Sequence, residues 1–485
     1  MKKIYMKDKN FLFTYLIRRT FCVPLPTENN QDIIMPNYAL RSTIRKQVNG
    51  SVLLIIATIL ALVVANIPAT HELYKETWAM PVSLSIGSFN FFGHMGHPMS
   101  LLDFINDFLM AIFFLSVGLE IKREVLCGEL STVKKALLPV IGACGGMLVP
   151  VIIFLLVPKA DALMNRGMAI PMATDIAFSL GVLSIFSKRV PLGLKIFLAA
   201  LAVADDLGGI IVIAVKYTEH MQLEFLLYAA ICVAILCVGN WRKVRTKAFY
   251  FTFGLLLWYC MLNSGIHATI AGVLLAFCVP ASLSNGTKLY IERIRTQIRK
   301  FPVIEVTEAD RNKPAIFTED DIQILKSVES CSDHLISPLQ DMEDILKVPI
   351  NFYIIPLFAF ANAGVDFTGM SIMNIFSGIG LSILLGLFIG KFCGVLSFSW
   401  LAIRYRIVQM PEGANWASFA SVCMLCGIGF TVSMFMAGLS YNTPAIEPAI
   451  RVEYLNDAKL GILCGTIISA LVGIFMLNRT LPKEK

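Results

Sequence analysis

The feature that most constrains this chain is a series of long apolar runs separated by short polar connections. Each run is roughly 15 to 25 residues long, which is the length a helix needs to cross a bilayer. Only helices and closed barrels satisfy the backbone in lipid, and continuous rather than alternating apolar runs select helices. The residues are 56% hydrophobic and 15% charged, whereas soluble domains have about 25% charged residues. The sequence therefore predicts an all-α polytopic membrane protein.

The runs predict about twelve transmembrane helices. They cover residues 50–66, 104–121, 136–157, 167–187, 191–215, 223–239, 247–261, 263–280, 349–364, 375–400, 414–439 and 457–478. The chain then divides into a basic cytoplasmic tail (1–45), spans one to eight (46–280), a charged cytoplasmic insert (281–348), spans nine to twelve (349–478) and a cytoplasmic tail (479–485). Two interpretations of the first tail stay open: translation starts at Met1 and the tail is part of the protein, or translation starts at Met35.

The Lys and Arg positions test this count independently. If the N-terminus is cytoplasmic, most of the 41 Lys and Arg residues fall in inner loops, as the positive-inside rule requires. Both termini are therefore predicted to be cytoplasmic. The net charge of +7 follows from this topology and requires no nucleic-acid partner.

Two spans are interrupted in corresponding places. The fourth, "GMAIPMATDIAFSLG", contains Pro171 followed by Thr174 and Asp175, and the eleventh is interrupted by "GIGFTVS". They are the middle members of spans 3–5 and 10–12, which start on opposite sides, so we predict an inverted-topology repeat with two broken, crossing helices. Broken ends carry partial charges that need counter-charges. Asp175, and Lys391 on the tenth span, have the required signs.

Four ionisable residues lie near the middle of predicted spans, namely Asp175, Asp205, Asp206 and Lys391. Each costs about 2.5–3.5 kcal/mol at a helix centre. A structural Asp–Lys pair accounts for two of them, but three carboxylates and one amine leave a negative surplus that requires protons or a metal cation. Carboxylate oxygens, with the Thr174 hydroxyl, suit a hard cation such as Na⁺ or Li⁺, and burial lets protons compete for them. Such a site, exposed to one side at a time, exchanges sodium for protons.

Two other classes of protein remain open at this stage. An intramembrane aspartyl protease needs carboxylates on facing helices, whereas Asp205 and Asp206 are adjacent in sequence. A passive cation channel would conduct without proton counter-flow. No cofactor is implied, because "GLFIGKF" lacks the spacing and the Ser or Thr of a phosphate loop. We interpret the cysteines, including Cys423 and Cys426 of "CMLC", as small core residues.

Several stretches closely resemble the NhaA-type sodium/proton antiporters: "GMAIPMATDIAFSLGVLSIFSKRVPLGLKIFLAALAVADDLGGIIVIAVKYT", "FFLSVGLEIKREVLCGEL", "GIHATIAGVLLAF", "IIPLFAFANAGV", "GLFIGKFCG" and "GIGFTVSMFMAGLS". The resemblance covers residues 45–478 apart from the insert. It implies a secondary active, electrogenic and pH-regulated antiporter, not an enzyme, that exports Na⁺ and Li⁺ in exchange for external H⁺ by alternating access. It also implies a bacterial inner (plasma) membrane, with lipid and the transported ions as partners and a homodimer left open.

The resemblance assigns roles to individual residues. Asp205 and Asp206 would bind and carry the ions, with Asp206 the principal sodium ligand. Lys391 would pair with Asp205, and Asp175 and Thr174 would belong to the crossing of the broken helices. A pH-sensing cluster at the cytoplasmic mouth would comprise Glu120, Lys122, Arg123, Glu124 and Glu343.

Some positions carry weaker predictions. Lys347-Val348-Pro349 stands where the family usually has His-Pro-Trp, which leaves the pH response open. His267, a further pH-sensing candidate, is interpreted as a structural or modulatory residue at the edge of span eight. We place Asn106 and Asp107 at the N-terminal end of span two. Residues 71–96 are interpreted as an extracellular hairpin that could pair with another protomer.

Overall fold

The computed structural model describes residues 50–86, 89–94, 97–186, 189–216, 221–282, 287–300, 318–367, 378–443 and 446–482. The predicted tail 1–45 lies outside the described residues. In the described ranges, seven helices are long and apolar enough to cross a membrane, and three sharply bent helix pairs bring the number to as many as ten. The prediction of an all-α multi-pass membrane protein is therefore confirmed, while the count of twelve spans stays a prediction.

The chain enters this bundle through a helical elbow. Helix α1 (Gly50–Asn66) turns by 111° into α2 (Pro68–Ala79), where Pro68 supports a new helix start. Strand β1 (Pro81–Val82) pairs with β5 (His97–Ser100), which also pairs with β4 (Gly93–His94); β2 (Ser85–Ile86) pairs with β3 (Phe89–Asn90). All these pairings are antiparallel. The segment predicted as a hairpin therefore begins as the end of α2 and becomes a set of short strands only from Pro81 onwards.

The second predicted span begins earlier than expected. Helix α3 (Leu101–Cys127) starts after Ser100, whose side chain forms a reciprocal capping box with Asp103. Asn106 and Asp107 therefore do not form the helix end, and lie instead in a π-helical turn, Phe104–Leu109. That placement was wrong because the cap, not the first apolar run, determines where the helix begins.

The remaining elements follow in chain order. They are α4 (Val133–Leu156), a 3₁₀ segment (Ala162–Met172), α5 (Ile176–Ser184), α6 (Leu192–Lys216), α7 (Leu223–Trp241), α8 (Lys247–Ser264), α9 (Ile270–Cys278), α10 (Thr287–Lys300), α11 (Glu319–Leu335), α12 (Pro338–Asn362), α13 (Gly378–Arg404), α14 (Trp416–Leu425), α15 (Phe430–Tyr441) and α16 (Pro448–Thr480). Helix α12 contains one π-helical turn, Ile350–Ile354, and α13 contains another, Gly386–Lys391. Helix α9 is nine residues long, too short to cross a bilayer alone.

The predicted insert is largely helical where it is described. Helices α10 and α11 pack against each other, and Arg245 donates a hydrogen bond to the carbonyl of Ile336 at 2.5 Å, which ties the insert to the connection after α7. Helix α12 starts at Pro338, before the predicted boundary at 349, because Ser337 caps its first turn and Pro338 occupies its first position.

Close backbone packing places the middle of α13 against α4. A Cβ atom added at Gly394 would lie 2.2 Å from the carbonyl oxygen of Gly145, so only glycine fits at this crossing. Lys391 lies less than one turn before Gly394 and is fully buried. The crossing therefore determines where the ammonium group of Lys391 enters the protein interior.

Candidate functional site

Both interruptions predicted from the sequence are present, and they lie against each other. The 3₁₀ segment and α5 are bent by 43° at residues 173–175, and α14 and α15 by 44° at residues 426–429. The backbone N–H of Asp175 donates to the carbonyl of Ile428 at 2.7 Å, and the Thr174 hydroxyl oxygen lies 3.1 Å from the carbonyl oxygen of Cys426. Backbone groups freed at one break are thus satisfied by the other.

Asp175 joins the two broken helices through its side chain. Its carboxylate accepts from the N–H of Phe178 in the first turn of α5 at 2.9 Å. It also accepts from the N–H of Thr431 in the first turn of α15, at 3.1 Å, and from the Thr431 hydroxyl. One buried negative charge therefore lies at the positive ends of two half-helices. Sequence reasoning did not single out Thr431, although it lies inside the quoted "GIGFTVS" interruption.

Asp205 is bound to Lys391, as the resemblance implies. The ammonium of Lys391 donates to Asp205 Oδ2 at 2.5 Å, and the Thr174 hydroxyl donates to the same oxygen at 2.8 Å. Asp205 is 2% exposed and Lys391 is 0% exposed. In the described contacts the Lys391 ammonium pairs with the Asp205 carboxylate and not with a carbonyl group at a helix break. The prediction that Lys391 neutralises the partial negative charge of a broken helix end is therefore not met.

Asp206 borders the same cavity as Asp205, although successive residues on a helix are turned by about 100°. The cavity has a volume of about 10 Å³, which is the space of about one water molecule. The cavity is also lined by Phe114 of α3 and by Val432 and Met436 of α15. In the described part of the chain, Asp206 Oδ2 and Asp205 Oδ1 are buried without a hydrogen-bond partner.

Unpaired buried carboxylate oxygens are unusual and call for a ligand. A proton, or a small hard cation bound by oxygen atoms, satisfies such groups. The Thr174 hydroxyl and the carbonyl groups at the breaks lie nearby and provide further oxygen ligands for a cation. The residues present therefore fit a proton-or-sodium site.

The structure brings together four of the six predicted pH-sensing candidates. Arg123 Nη1 lies 2.6 Å from Glu343 Oε1, and Arg123 Nη2 lies 2.9 Å from Glu124 Oε1 and 3.9 Å from Glu120 Oε1. Lys347, which sequence reasoning had treated only as a departure from the family pattern, joins them with its Nζ 3.1 Å from Glu343 Oε1.

Lys122 does not join this cluster. Its ammonium donates to the carbonyls of Phe277 and Val279, at 2.6 and 2.5 Å, and so holds the C-terminal end of α9. Lys122 is next to Arg123 in the sequence, but adjacent residues on a helix point in different directions. The sequence alone therefore could not show that the Lys122 side chain turns away from Glu343.

His267 lies in a separate polar group. Its Nε2 is 3.5 Å from Asp107 Oδ1, its Nδ1 is 2.8 Å from the Thr269 hydroxyl, and its ring packs edge-on against Phe435. Near it Asn106 accepts a hydrogen bond from the amide of Asn362 at 2.8 Å. No described contact links His267 to Arg123 or Glu343.

A multi-pass helical protein in which two broken helices meet beside buried carboxylates belongs to the class of ion-coupled membrane transporters. The profile of the family described as "Na+/H+ antiporter 1" matches residues 41–477. The chain is 46% identical to the Na(+)/H(+) antiporter NhaA of Phocaeicola vulgatus over 93% of this chain and 98% of that protein. It is 47% identical to that of Bacteroides fragilis, over 90% and 97%, and 39% identical to that of Proteus mirabilis, over 92% and 98%. The chain belongs to the NhaA family of Na⁺/H⁺ antiporters.

Proposed function

We propose that this protein is a sodium/proton antiporter whose ions bind at Asp205 and Asp206, with Asp206 the principal Na⁺ ligand. The observation that carries the proposal is the pair of unpartnered buried oxygens, Asp206 Oδ2 and Asp205 Oδ1. Protons and Na⁺, or the chemically similar Li⁺, compete for these oxygens because each satisfies the same buried charge. Competition at a site that opens to one side at a time is sufficient to couple the two flows.

The contact between Lys391 and Asp205 supports electrogenic exchange. Na⁺ bound at Asp205 competes with the Lys391 ammonium for Oδ2, because that oxygen already holds the ammonium at 2.5 Å. Binding of one Na⁺ is then linked to the release of protons from both Asp206 and Lys391. More protons than sodium ions move in each cycle, so net charge crosses the membrane.

The crossing of the broken helices supports alternating access. Asp175 and Thr174 bind residues of the opposite break, so the two half-helix pairs form one unit that can move against the rest of the bundle. We extend this to the full topology: twelve spans, an inverted repeat of spans 3–5 and 10–12, both termini in the cytoplasm, and a bacterial inner membrane.

The charged cluster around Glu343 is proposed to sense cytoplasmic pH. Its carboxylates, Glu120, Glu124 and Glu343, share the guanidinium of Arg123, and Glu343 also contacts the ammonium of Lys347. Protonation of a carboxylate releases part of that network, which links α3 to α12. His267 is assigned a modulatory role through Asp107 rather than a place in this cluster.

The test is sodium-dependent dissipation of a preset pH gradient in sealed vesicles containing the purified full-length protein. Asp206→Asn is expected to abolish the response, while Asp320→Asn, at an exposed carboxylate of α11, retains it. A sodium response that survives Asp206→Asn contradicts the site assignment. Sodium flux without proton counter-flow in the unmodified protein favours a cation channel instead.

A further inference from the structure

Two thiols from helices distant in sequence meet at the end of the bundle that carries the Glu343 cluster. The sulfur atoms of Cys237 in α7 and Cys278, the last residue of α9, are 3.8 Å apart. Cys237 is exposed and Cys278 is buried. The ion site uses neither residue.

Lys122 shows where this pair lies relative to the bilayer. Its ammonium donates to the carbonyls of Phe277 and Val279, the residues immediately before and after Cys278. A lysine that belongs to the charged "EIKRE" sequence at the end of α3 lies at headgroup level, so the two sulfur atoms are within reach of water-borne reagents.

We propose that Cys237 and Cys278 form a redox-modification site whose co-reactant is a hydroperoxide such as hydrogen peroxide. The exposed Cys237 is the thiol that meets the peroxide first. Its sulfur attacks one peroxide oxygen and the O–O bond breaks; the hydroxide that leaves takes up the thiol proton, so one water molecule leaves and Cys237 becomes a sulfenic acid. The Cys278 sulfur then attacks the Cys237 sulfur, an S–S bond forms, the S–O bond breaks and a second water leaves. In balance, two thiols and one peroxide give one disulfide and two water molecules.

The disulfide would hold α7 against the rest of the protein. Of the seven candidate spans among the described residues, α7 is the least buried, with 22% of its apolar stretch buried inside the protein. Cys278 lies 41 residues after Cys237, so the disulfide closes a loop that includes all of α8. Such a loop lowers the conformational entropy of the unfolded chain and thereby raises the free energy of unfolding.

A second thiol pair provides an internal comparison. Cys232 of α7 and Cys260 of α8 are neighbours where these two helices pack together. Cys232 lies five residues, more than one turn, further than Cys237 from the basic connection that follows α7, so this pair lies deeper in the bilayer. It should therefore remain reduced when the Cys237–Cys278 pair is oxidised.

The experiment treats the reduced full-length protein in detergent with hydrogen peroxide and maps peptides without reduction by mass spectrometry. We expect a peptide pair joined at Cys237 and Cys278 with the loss of two hydrogen atoms, reversed by dithiothreitol, and a raised Tm. Cys237→Ser should remove the cross-link and the Tm shift, whereas Cys232→Ser should leave both. A stable sulfenic or sulfinic acid at Cys237 without a cross-link, a cross-link to another cysteine, or equal oxidation of the Cys232–Cys260 pair each overturns the proposal.

Discussion

At the scale of single residues, the site is governed by buried charges that hold one another in place. Lys391 and Asp205 are both almost fully buried, and their 2.5 Å contact is the one described ion pair of Asp205. Removing one partner from such a pair leaves a charge in a medium that cannot solvate it, at a cost of about 3–5 kcal/mol. The pair therefore stabilises this conformation and, in the proposed mechanism, is the contact that an incoming cation replaces.

Lys391→Met should lower the thermal stability of the detergent-solubilised protein, because Asp205 then retains only the Thr174 hydroxyl on its bonded oxygen. The double substitution Lys391→Met with Asp205→Asn should recover part of the loss, since the unpaired charge is gone. Melting curves of the four proteins form a double-mutant cycle. Lys326→Met, at an exposed site on α11, is the matched control. Additive effects of the two substitutions would contradict the coupling.

The Asp175 carboxylate accepts hydrogen bonds from backbone N–H groups in the first turns of both α5 and α15. Asp175→Ala leaves the N–H groups of Phe178 and Thr431 without this partner, at about 1–3 kcal/mol for each buried group. Asp175→Asn retains a carbonyl oxygen and should lose less. Thermal stability and vesicle exchange should both follow the order wild type, Asn, Ala. Equal loss in the two variants would show that the charge, rather than the acceptor geometry, is what matters.

At the scale of secondary-structure elements, the positions of the breaks depend on close helix crossings. Helices α4 and α13 touch through backbone at Gly145 and Gly394, where no side chain fits. This contact positions the π-helical turn that ends at Lys391. The caps have a comparable influence: Ser100 and Ser337 set the starts of α3 and α12, and both starts differ from those expected from the apolar runs.

Gly394→Ala should displace α13 from α4, because the new Cβ would lie 2.2 Å from the Gly145 carbonyl oxygen. Overpacking of this kind costs about 1–3 kcal/mol. Gly438→Ala on α15 is the control, since a Cβ there meets no atom within 4 Å. Size-exclusion profiles and melting curves in detergent should show a loss for Gly394→Ala and none for Gly438→Ala. Equal behaviour of the two variants would mean that α13 can shift without affecting the fold.

At the scale of the whole molecule, the distribution of charge orients the protein in the membrane. The positive-inside rule predicts that the insert with α10 and α11, together with both termini, is cytoplasmic. The Glu343 cluster then faces the cytoplasm, and the group formed by His267, Asp107 and Asn106 lies towards the opposite side. The two polar groups therefore lie at opposite ends of α12, because Glu343 is in its second turn and Asn106 binds Asn362, its last residue.

Reporter fusions test this orientation. Green fluorescent protein fused after Lys485 should fluoresce, and alkaline phosphatase fused there should be inactive, because the C-terminus is predicted to be cytoplasmic. Phosphatase inserted after Ala160, between α4 and the 3₁₀ segment, should be active. An active C-terminal phosphatase fusion would reverse the proposed topology.

The sequence by itself determined the membrane class, both helix interruptions and the buried ionisable residues. These features follow from transfer free energies and backbone preferences, which each short segment carries on its own. It did not determine the twelve-span count, because α9 is shorter than its apolar run and α1 turns sharply into α2.

Only the tertiary structure decided how the charges are paired. The contact of Asp175 with Thr431 joins residues 256 positions apart, and that of Arg123 with Glu343 joins residues 220 positions apart. Lys122, by contrast, turns to α9 although it adjoins Arg123 in sequence. A buried charge takes whichever partner the packed helices bring within hydrogen-bonding distance, and that distance is a property of the folded bundle rather than of any segment within it.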